Sequence, residues 1–237
     1  MSDLASRLVQ PEILDDLPEA DPRAVASRND LRRLNRLMLQ DRIMANMLTT
    51  HLQSPPRRIL EIGAGDGLFM LAVARRLHKA WPSVDLVLLD QQALVTEQCI
   101  AQFAALGWNA TVVQSDVFEW SASANPGRFD AVTANLFLHH FQNEDLARLL
   151  TSMAGMAPVF LATEPLRTRF PLFASRMLRV IGANDVTRHD APASVRAGFA
   201  GRELSELWPA KEGTVLVEGR RGLFTHAFAA VTGSSRP

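Results

Sequence analysis

A glycine-rich stretch holds the residues of this chain that are best suited to binding a ligand. The sequence runs I-L-E-I-G-A-G-D-G from Ile59 to Gly67, and an apolar pattern with helical spacing begins at Leu68. This order predicts a strand, a tight loop and a helix, in which glycines let the backbone approach a ligand and the helix start offers free N–H groups. The dinucleotide fingerprint G-x-G-x-x-G would need a glycine where Leu68 stands. The loop therefore indicates a nucleotide-like ligand and argues against the usual grip on NAD.

Polar residues also follow three further predicted strands, at the sheet edge where ligands of open α/β folds bind. Asp90, with Gln91 beside it, ends the second strand. A carboxylate there accepts hydrogen bonds from two ribose hydroxyls in dinucleotide folds, and a solvated strand-end acid is the alternative. Asp116 and Val117 follow the third strand, and Asn135 ends the fourth. We expect these side chains to surround one ligand, although Asp116 and Val117 could also be ordinary loop or core residues.

Two histidine-containing stretches are candidates for proton transfer. Either His139 or His140 could be a general base, or could instead pack the loop or cap a helix. His189 and Asp190 lie in a long insertion, where the carboxylate could orient the imidazole for taking a proton from a phenol. Glu164 is an alternative orienting partner, and a salt-bridged surface loop is the alternative interpretation. Adjacent histidines rarely share one face toward a metal and no Cys/His spacing supports zinc, so no metal site is expected.

Two sets of arginines could meet anionic groups. One set recurs every fourth residue along the N-terminal helical pattern, and the other lies in the insertion. In both sets, solvated side chains are the alternative. The sets are Arg28, Arg32 and Arg36, and Arg167, Arg169 and Arg196.

Strands and helices alternate from residue 58 to residue 163 at a spacing that predicts a parallel sheet covered by helices on both faces. Near the C-terminus, the link G-R-R-G at residues 219–222 predicts a hairpin and hence an antiparallel edge pair. The predicted fold class is therefore α/β, a Rossmann-like doubly wound sheet of seven strands that are mostly parallel. The predicted strands are 58–62, 85–89, 110–114, 129–134, 159–163, 214–218 and 223–231, and the predicted core helices are 68–80, 93–106 and 145–156.

The segments outside this alternation predict a core with two additions. Residues 1–54 are predicted to form an N-terminal helical extension, whose main helix starts at the Asp21-Pro22 cap and runs to about residue 51. Residues 55–237 form the core, with an insertion at about 164–213 that is too long for a simple crossover. The insertion is predicted to contain helices at 171–181 and 195–208, with a loop between them that includes 184–190.

Composition narrows the class of protein. A chain of 237 residues that is 47% hydrophobic is globular and long enough for one large domain. Lysine plus arginine equals aspartate plus glutamate at 25 each, which gives no support for general nucleic-acid binding. A single cysteine excludes an intramolecular disulfide and suits a reducing compartment. With no signal-like N-terminus and no apolar run of about 18 residues, we expect a cytoplasmic protein without a membrane span.

The glycine stretch with its L-E-I-G lead-in resembles motif I of class I S-adenosylmethionine (SAM) dependent methyltransferases, and the C-terminal hairpin is a second match to that family. The resemblance implies SAM as cofactor and S-adenosylhomocysteine (SAH) as product. It implies that Asp116 bonds the adenine amino group and that Val117 lies against the ring. Glu61 could orient the loop or the ammonium group of SAM, and a structural role in which it bonds loop N–H groups is the alternative. The implied cofactor-binding residues are Glu61, Gly63, Ala64, Gly65, Gly67, Asp90, Gln91, Asp116, Val117 and Asn135.

The whole chain resembles a bacterial subgroup of these methyltransferases that is often encoded beside type III polyketide synthases. The stretches that carry this resemblance are LDDLP at 14–18, 30–38, ANLFLHHF at 134–141, VTRHD at 186–190 and SVRAGF at 194–199. The resemblance implies SAM-dependent methylation of a small phenolic, polyketide-like hydroxyl, with His189, His139, His140 and Asp190 as catalytic candidates. The alternatives are C- or N-methylation of a small molecule, or a non-catalytic SAM-binding partner of a biosynthetic enzyme. A homodimer through the N-terminal helix stays open.

Overall fold

Seven strands form one mixed sheet in a computed structural model that describes residues 4–123 and 127–233 of the chain. They are β1 (Arg58–Ile62), β2 (Val84–Asp90), β3 (Trp108–Gln114), β4 (Ala131–Asn135), β5 (Val159–Pro165), β6 (Thr214–Arg221) and β7 (Thr225–Thr232). The strand order is β3-β2-β1-β4-β5-β7-β6. The pairs among β1 to β5 are parallel, and β7 runs antiparallel to both of its neighbours. This arrangement confirms the predicted fold class.

Helices connect the parallel strands, precede the sheet and fill the insertion. The α-helices are α1 (Ile13–Asp16), α2 (Pro22–Leu37), α3 (Gln40–His51), α4 (Leu68–Leu77), α5 (Glu97–Ala104), α6 (Val117–Ala122), α7 (Asn143–Met156), α8 (Arg169–Arg176), α9 (Asp185–Ala197) and α10 (Glu203–Leu207). Two 3-10 helices lie at Leu138–His140 and Met177–Ile181.

Apolar side chains are buried on both faces of the sheet. One core packs α3, α4 and α5 against the sheet, and the other packs α7 and α10 against the opposite face. Because α3 contributes Met44 and Leu48, each fully buried, it belongs to the packed core. The predicted division at residue 54 stays a prediction.

The central strands carry polar residues only where these have partners. All seven residues of β5 are buried, which is typical of parallel strands covered on both faces. The buried Glu164 lies near the carboxyl end of β5. Buried ionisable groups are costly unless they are paired. Such a residue in an otherwise apolar strand marks the sheet edge where the site is built.

The N-terminal helical pattern is broken in the structure. The predicted single helix from residue 23 to about 51 divides at Met38 and Leu39, and Leu39 takes a left-handed conformation with φ of 57°. The backbone N–H of Met38 bonds to the carbonyl of Leu34 and closes the last turn of α2. Apolar residues keep a helical spacing across Met38 and Leu39, so the sequence pattern does not reveal the break between α2 and α3.

The insertion differs most from the prediction. Residues 185–190 were expected in a loop and instead begin α9, because the Asn184 side chain accepts a hydrogen bond from the N–H of Val186. The predicted helix at 195–208 is wrong. Helix α9 ends at Ala197, and a Cβ at Gly198 would lie 2.2 Å from the carbonyl oxygen of Pro165. The chain therefore passes close to β5 before α10 begins.

Among the helices that the structure describes, none is both long enough and apolar enough to cross a membrane.

Candidate active site

A cavity of about 730 Å³ opens at the carboxyl ends of β1, β2 and β4. This is the edge at which open α/β sheets bind ligands. The cavity wall includes many of the residues proposed from the sequence: Glu61, Gly63, Ala64, Gly65, Asp90, Gln91, Val117, Asn135 and His140. The other proposed residues, Gly67, Asp116, His139, His189 and Asp190, do not line it.

The glycine loop connects β1 to α4, and its first two glycines do different work. Gly63 has φ of +67°, and a Cβ there would lie 2.2 Å from the Phe137 ring. Gly65 has φ of +55°, yet a Cβ there would meet no atom within 4 Å. Gly63 is therefore required by packing against the loop after β4, whereas Gly65 faces open space in the cavity. Gly67 precedes α4, with Cys99 and Leu88 3.3 Å from the place of its absent Cβ.

Asp90 ties the glycine loop to the end of β2. Its Oδ2 accepts a hydrogen bond from the Gly65 N–H at 2.8 Å, and its Oδ1 accepts one from the Gln92 N–H at 2.8 Å. Each carboxylate oxygen retains a further acceptor site. Asp90 can therefore hold the loop and bind ligand hydroxyls in the cavity at the same time.

Asp116 has a structural position at the start of α6. Its Oδ1 accepts hydrogen bonds from the N–H groups of Phe118 at 2.7 Å and Glu119 at 3.1 Å, and its Oδ2 accepts one from the Gln91 side chain at 3.2 Å. Asp116 is thus the N-cap of the helix, and its neighbour Val117 lines the cavity. An adenine contact by Asp116 stays a prediction.

Glu61 is a buried carboxyl group at the cavity wall. Burial raises its pKa to about 8; the hydrogen bond from the Thr133 hydroxyl opposes this rise, and the charge of Glu164 adds to it. Without a ligand beside it, the Glu61 side chain is therefore mostly neutral at pH 7. A cationic ligand group beside it would favour the ionised form.

Asn135 ends β4 with one side-chain atom engaged. Its Oδ1 accepts a hydrogen bond from the Thr163 hydroxyl at 2.9 Å, which fixes the orientation of the amide. Because Asn135 also lines the cavity, its amide nitrogen is available as a donor to a ligand.

His139 is buried between two carboxylates. Its Nδ1 lies 2.7 Å from Glu164 Oε2, and its Nε2 lies 3.5 Å from Glu12 Oε1. Burial lowers the pKa of His139, but the hydrogen bonds and charges of Glu12 and Glu164 outweigh it and raise the pKa to about 9. His139 is therefore cationic at pH 7 and cannot accept a further proton. Glu164, which the sequence offers as an alternative orienting partner of His189, contacts His139 instead.

Glu164 also shapes the loop that follows β4. Its Oε1 accepts hydrogen bonds from the N–H groups of Phe137 at 3.0 Å and Leu138 at 2.9 Å. Phe137 in turn packs against Gly63. The Glu164 carboxylate thereby fixes His139 and the loop after β4, including Phe137, which contacts the glycine loop.

His140 is the histidine that reaches the cavity. Its side chain is 28% exposed, and its Nδ1 lies 3.2 Å from Asp15 Oδ2. If Nδ1 carries the proton that is shared with Asp15, Nε2 presents a lone pair. The dyad of His140 and Asp15 can therefore accept a proton from a molecule bound in the cavity. Asp15 belongs to the N-terminal segment, and no sequence motif linked it to His140.

The structure does not bring His189 and Asp190 to the cavity. The His189 side chain is 58% exposed, with its Nδ1 2.9 Å from Asp190 Oδ1. The two Asp190 oxygens accept hydrogen bonds from the N–H groups of Ile13 and Leu14, each at 3.0 Å. Because residues 185–197 form a helix, His189 points outward while Asp190 is buried and anchors the segment before α2. The hypothesis that this pair forms the base is not supported by the geometry.

Adjacent histidines do converge here, contrary to the expectation. The 3-10 turn brings ligand atoms of Glu12, His139 and His140 within 4.8 Å of one another. Each of the three already has a protein partner: Ser194 and His139 for Glu12, Glu164 for His139, and Asp15 for His140. The arrangement is accounted for by these ion pairs, and we assign no metal to it.

The N-terminal helices form the outer wall of the cavity. Arg28, Arg32 and Arg36 all line it, and Arg32 Nε lies 2.6 Å from Asp66 Oδ2 of the glycine loop. These three arginines therefore border the cavity while Arg32 and Arg36 stay exposed to solvent, and Arg32 meets an acidic group as one of the two interpretations expected. The second arginine set lies outside the cavity wall. Arg167 is buried against the Gly198 carbonyl and Glu203.

These features define a doubly wound α/β protein with a cavity at the sheet edge where such folds bind ligands, and with the His140–Asp15 dyad beside it. Residues 59–157 match a family model described as a methyltransferase domain. Ribosomal RNA small subunit methyltransferase C of Shewanella sp. (strain MR-4) is 31% identical over 93 residues, which are 39% of this chain and 25% of that protein. The chain thus matches about a quarter of the length of such curated relatives.

Solved structures of methyltransferases share the fold. The plantazolicin methyltransferase BpumL in complex with SAH superposes with a TM-score of 0.65 at 15% identity, over 90% of this chain and 92% of that one. An O-methyltransferase family protein from Burkholderia thailandensis has a TM-score of 0.57 at 17% identity, over 92% of this chain and 62% of that one. At these identities the similarity establishes a shared Rossmann-like fold.

Proposed function

We propose that this protein is a SAM-dependent methyltransferase that transfers a methyl group to the hydroxyl of a small aromatic, polyketide-like molecule. The observation that carries the proposal is one continuous cavity that contains both the glycine loop with Asp90 and the His140–Asp15 dyad. The family match over residues 59–157 and the complex of BpumL with SAH support the choice of cofactor.

The cofactor half of the cavity fits the parts of SAM in order. Asp90 would accept hydrogen bonds from the ribose hydroxyls of SAM, and Val117 would pack against its adenine ring. Glu61 and the amide of Asn135 would face the amino acid part, and a cationic group there would favour the ionised form of Glu61. Gly65 leaves room for the ligand next to the backbone. SAM supplies a methyl group on a positively charged sulfur, which a nucleophile can displace.

The acceptor side of the cavity combines apolar surface with the His140–Asp15 dyad and the arginines of α2. Leu14, Leu31, Phe137 and Phe141 contribute apolar surface to the wall. With SAM bound, the methyl group would pass from its sulfur to the acceptor oxygen, and the role of His140 Nε2 would be to take the hydroxyl proton. A base is needed because a phenol with a pKa of about 10 is mostly protonated at neutral pH. Alignment of the reacting atoms in a desolvated site supplies much of the rate.

The first experiment is isothermal titration of the purified protein with SAH. Wild type is expected to bind, and Asp90→Ala is expected to bind much more weakly because it loses both the loop bond and the ribose acceptor. Asp85→Ala is the matched control, since Asp85 is near the opposite end of the same strand and its side chain accepts a hydrogen bond from Asn109, far from the cavity wall. Failure of wild type to bind SAH would overturn the methyltransferase proposal.

A second experiment separates the competing activities. The protein is incubated with SAM and a panel of phenols, aromatic amines and activated aromatic carbons, and the methylated product is identified by mass spectrometry. Methyl ethers as the products support O-methylation, whereas C- or N-methylated products replace that part of the proposal. Binding of SAH without turnover on any acceptor favours a non-catalytic partner of a biosynthetic enzyme.

A further inference from the structure

An apolar stripe lies exposed on α8 and the 3-10 helix that follows it. Its members are Phe170, Phe173, Met177 and Val180, with relative exposures of 52%, 61%, 43% and 73%. The spacing of three, four and three residues puts them on one face of the helical segment. The opposite side buries Pro171, Leu172 and Ser175 against the protein. The stripe is therefore an outward face of a firmly packed segment.

The tip of the C-terminal hairpin extends this face. The rings of Phe170 and Phe224 lie 5.5 Å apart, so the turn between β6 and β7 packs beside α8. Leu223, in that turn, is 52% exposed. We call the stripe together with residues 220–224 the basic apolar face.

The two segments that form this face carry charge of one sign. Residues 165–184 and 219–233 contain no aspartate or glutamate. Arg169 and Arg179 lie in the helical segment, and Arg220 and Arg221 lie at the hairpin tip, where both are exposed. Arginine has an apolar stem and a charged head, so it can bury the stem at an apolar boundary while its head reaches anions.

We propose that the basic apolar face docks on the surface of a bilayer that contains anionic lipids. Surface-lying helices that bind membranes combine a phenylalanine-rich face with flanking arginines, as this segment does. A second copy of the chain fits less well, because a two-fold contact through this face would set arginines against arginines. The inference is independent of the proposed methyl transfer and uses none of the cavity residues.

The test is co-sedimentation of the full chain with vesicles of phosphatidylglycerol and phosphatidylcholine, compared with vesicles of phosphatidylcholine alone. We expect sedimentation with the anionic vesicles and little with the neutral ones. High salt should release most of the protein, since exposed charges are screened beyond a few ångström at 1 M. Absence of sedimentation with anionic vesicles, or equal sedimentation with both, would overturn the proposal.

A double variant, Phe170→Ser with Phe173→Ser, should reduce the partition onto anionic vesicles by roughly tenfold or more. Leu37→Ser is the matched control, because Leu37 is a 71% exposed apolar residue on α2 outside this face. Circular dichroism melts of both variants establish that they remain folded. Unchanged vesicle binding by a folded double variant, or a wild-type dimer that dissociates in it without any vesicle binding, would refute membrane docking.

Discussion

Raising the pH from about 6 to about 10 is expected to destabilise the protein by removing the charge of His139. This side chain is buried between Glu12 and Glu164, and its cationic form is what compensates both carboxylates. When the proton leaves, the two carboxylates lose the cation that lies between them. Buried charges without a partner are strongly destabilising.

The magnitude follows from the pKa. The pKa of His139 is about 9 in the folded protein, against an ordinary value of 6.5 that applies to the unfolded chain. This difference corresponds to roughly 3 kcal/mol of folding free energy. Because the folded-state value is the higher one, this stability is fully present below pH 6.5 and is lost as the pH rises through about 9. The pKa of Glu61 rises from 4.5 to about 8 in the folded protein. Ionisation of Glu61 therefore also lowers the free energy of unfolding as the pH rises from 4.5 to about 8.

The assay is urea unfolding followed by tryptophan fluorescence, at closely spaced pH values across this range. Wild type should lose free energy of unfolding from about pH 4.5 because of Glu61, and more steeply between pH 6.5 and about 8, where His139 also loses its proton. The decline should end near pH 9. Glu61→Gln should remove the decline at lower pH and leave the decline caused by His139. A wild-type profile that stays flat through pH 9, or an undiminished decline in His139→Gln, would refute the assignment of a buried imidazolium.

Three further perturbations test the site. His140→Ala should lower kcat by about 10²- to 10⁴-fold and leave the calorimetric SAH affinity nearly unchanged, because His140 lines the cavity. His189→Ala should alter neither quantity. A loss of kcat in His189→Ala but not in His140→Ala would assign the base to His189. Gly63→Ala should lower the free energy of unfolding by about 1–3 kcal/mol more than Gly65→Ala, while Gly65→Ala should lose more SAH binding; equal melting temperatures would argue against the Phe137 clash. Asp190→Ala should release the segment around Ile13 and make it sensitive to limited proteolysis, and protection equal to wild type would contradict its anchoring role.

The sheet could be predicted from the sequence because its signals are local. Strand β1 has the predicted bounds, and each of the other strands lies within a few residues of its expected place. Short apolar runs that end in a glycine or a polar residue identify such strands without knowledge of their neighbours. The break at Leu39 and the start of α9 depended on caps and tertiary contacts, which apolar periodicity does not report.

The candidate site was predicted unevenly for the same reason. Asp90 and the glycine loop follow from residues that are adjacent along the chain, and the structure brings them together in the cavity. The partner of His140 is Asp15, and that of His139 is Glu164, more than twenty residues away in each case. Side-chain pairs between distant segments leave no spacing pattern in the sequence. The adjacent residues His189 and Asp190 were therefore predicted as the catalytic pair instead.

The position of Glu164 has a consequence for how the site is assembled during folding. Glu164 pairs in the sheet with His226 of β7, which is inserted between β5 and β6. Until residues 225–232 have been synthesised and have docked, β5 remains an open edge strand. Pairing between segments so far apart in the chain is slow compared with local helix formation. The carboxylate that fixes the loop after β4 is therefore secured only when β7 has been made and has docked on β5, and this wall of the cavity forms after that pairing.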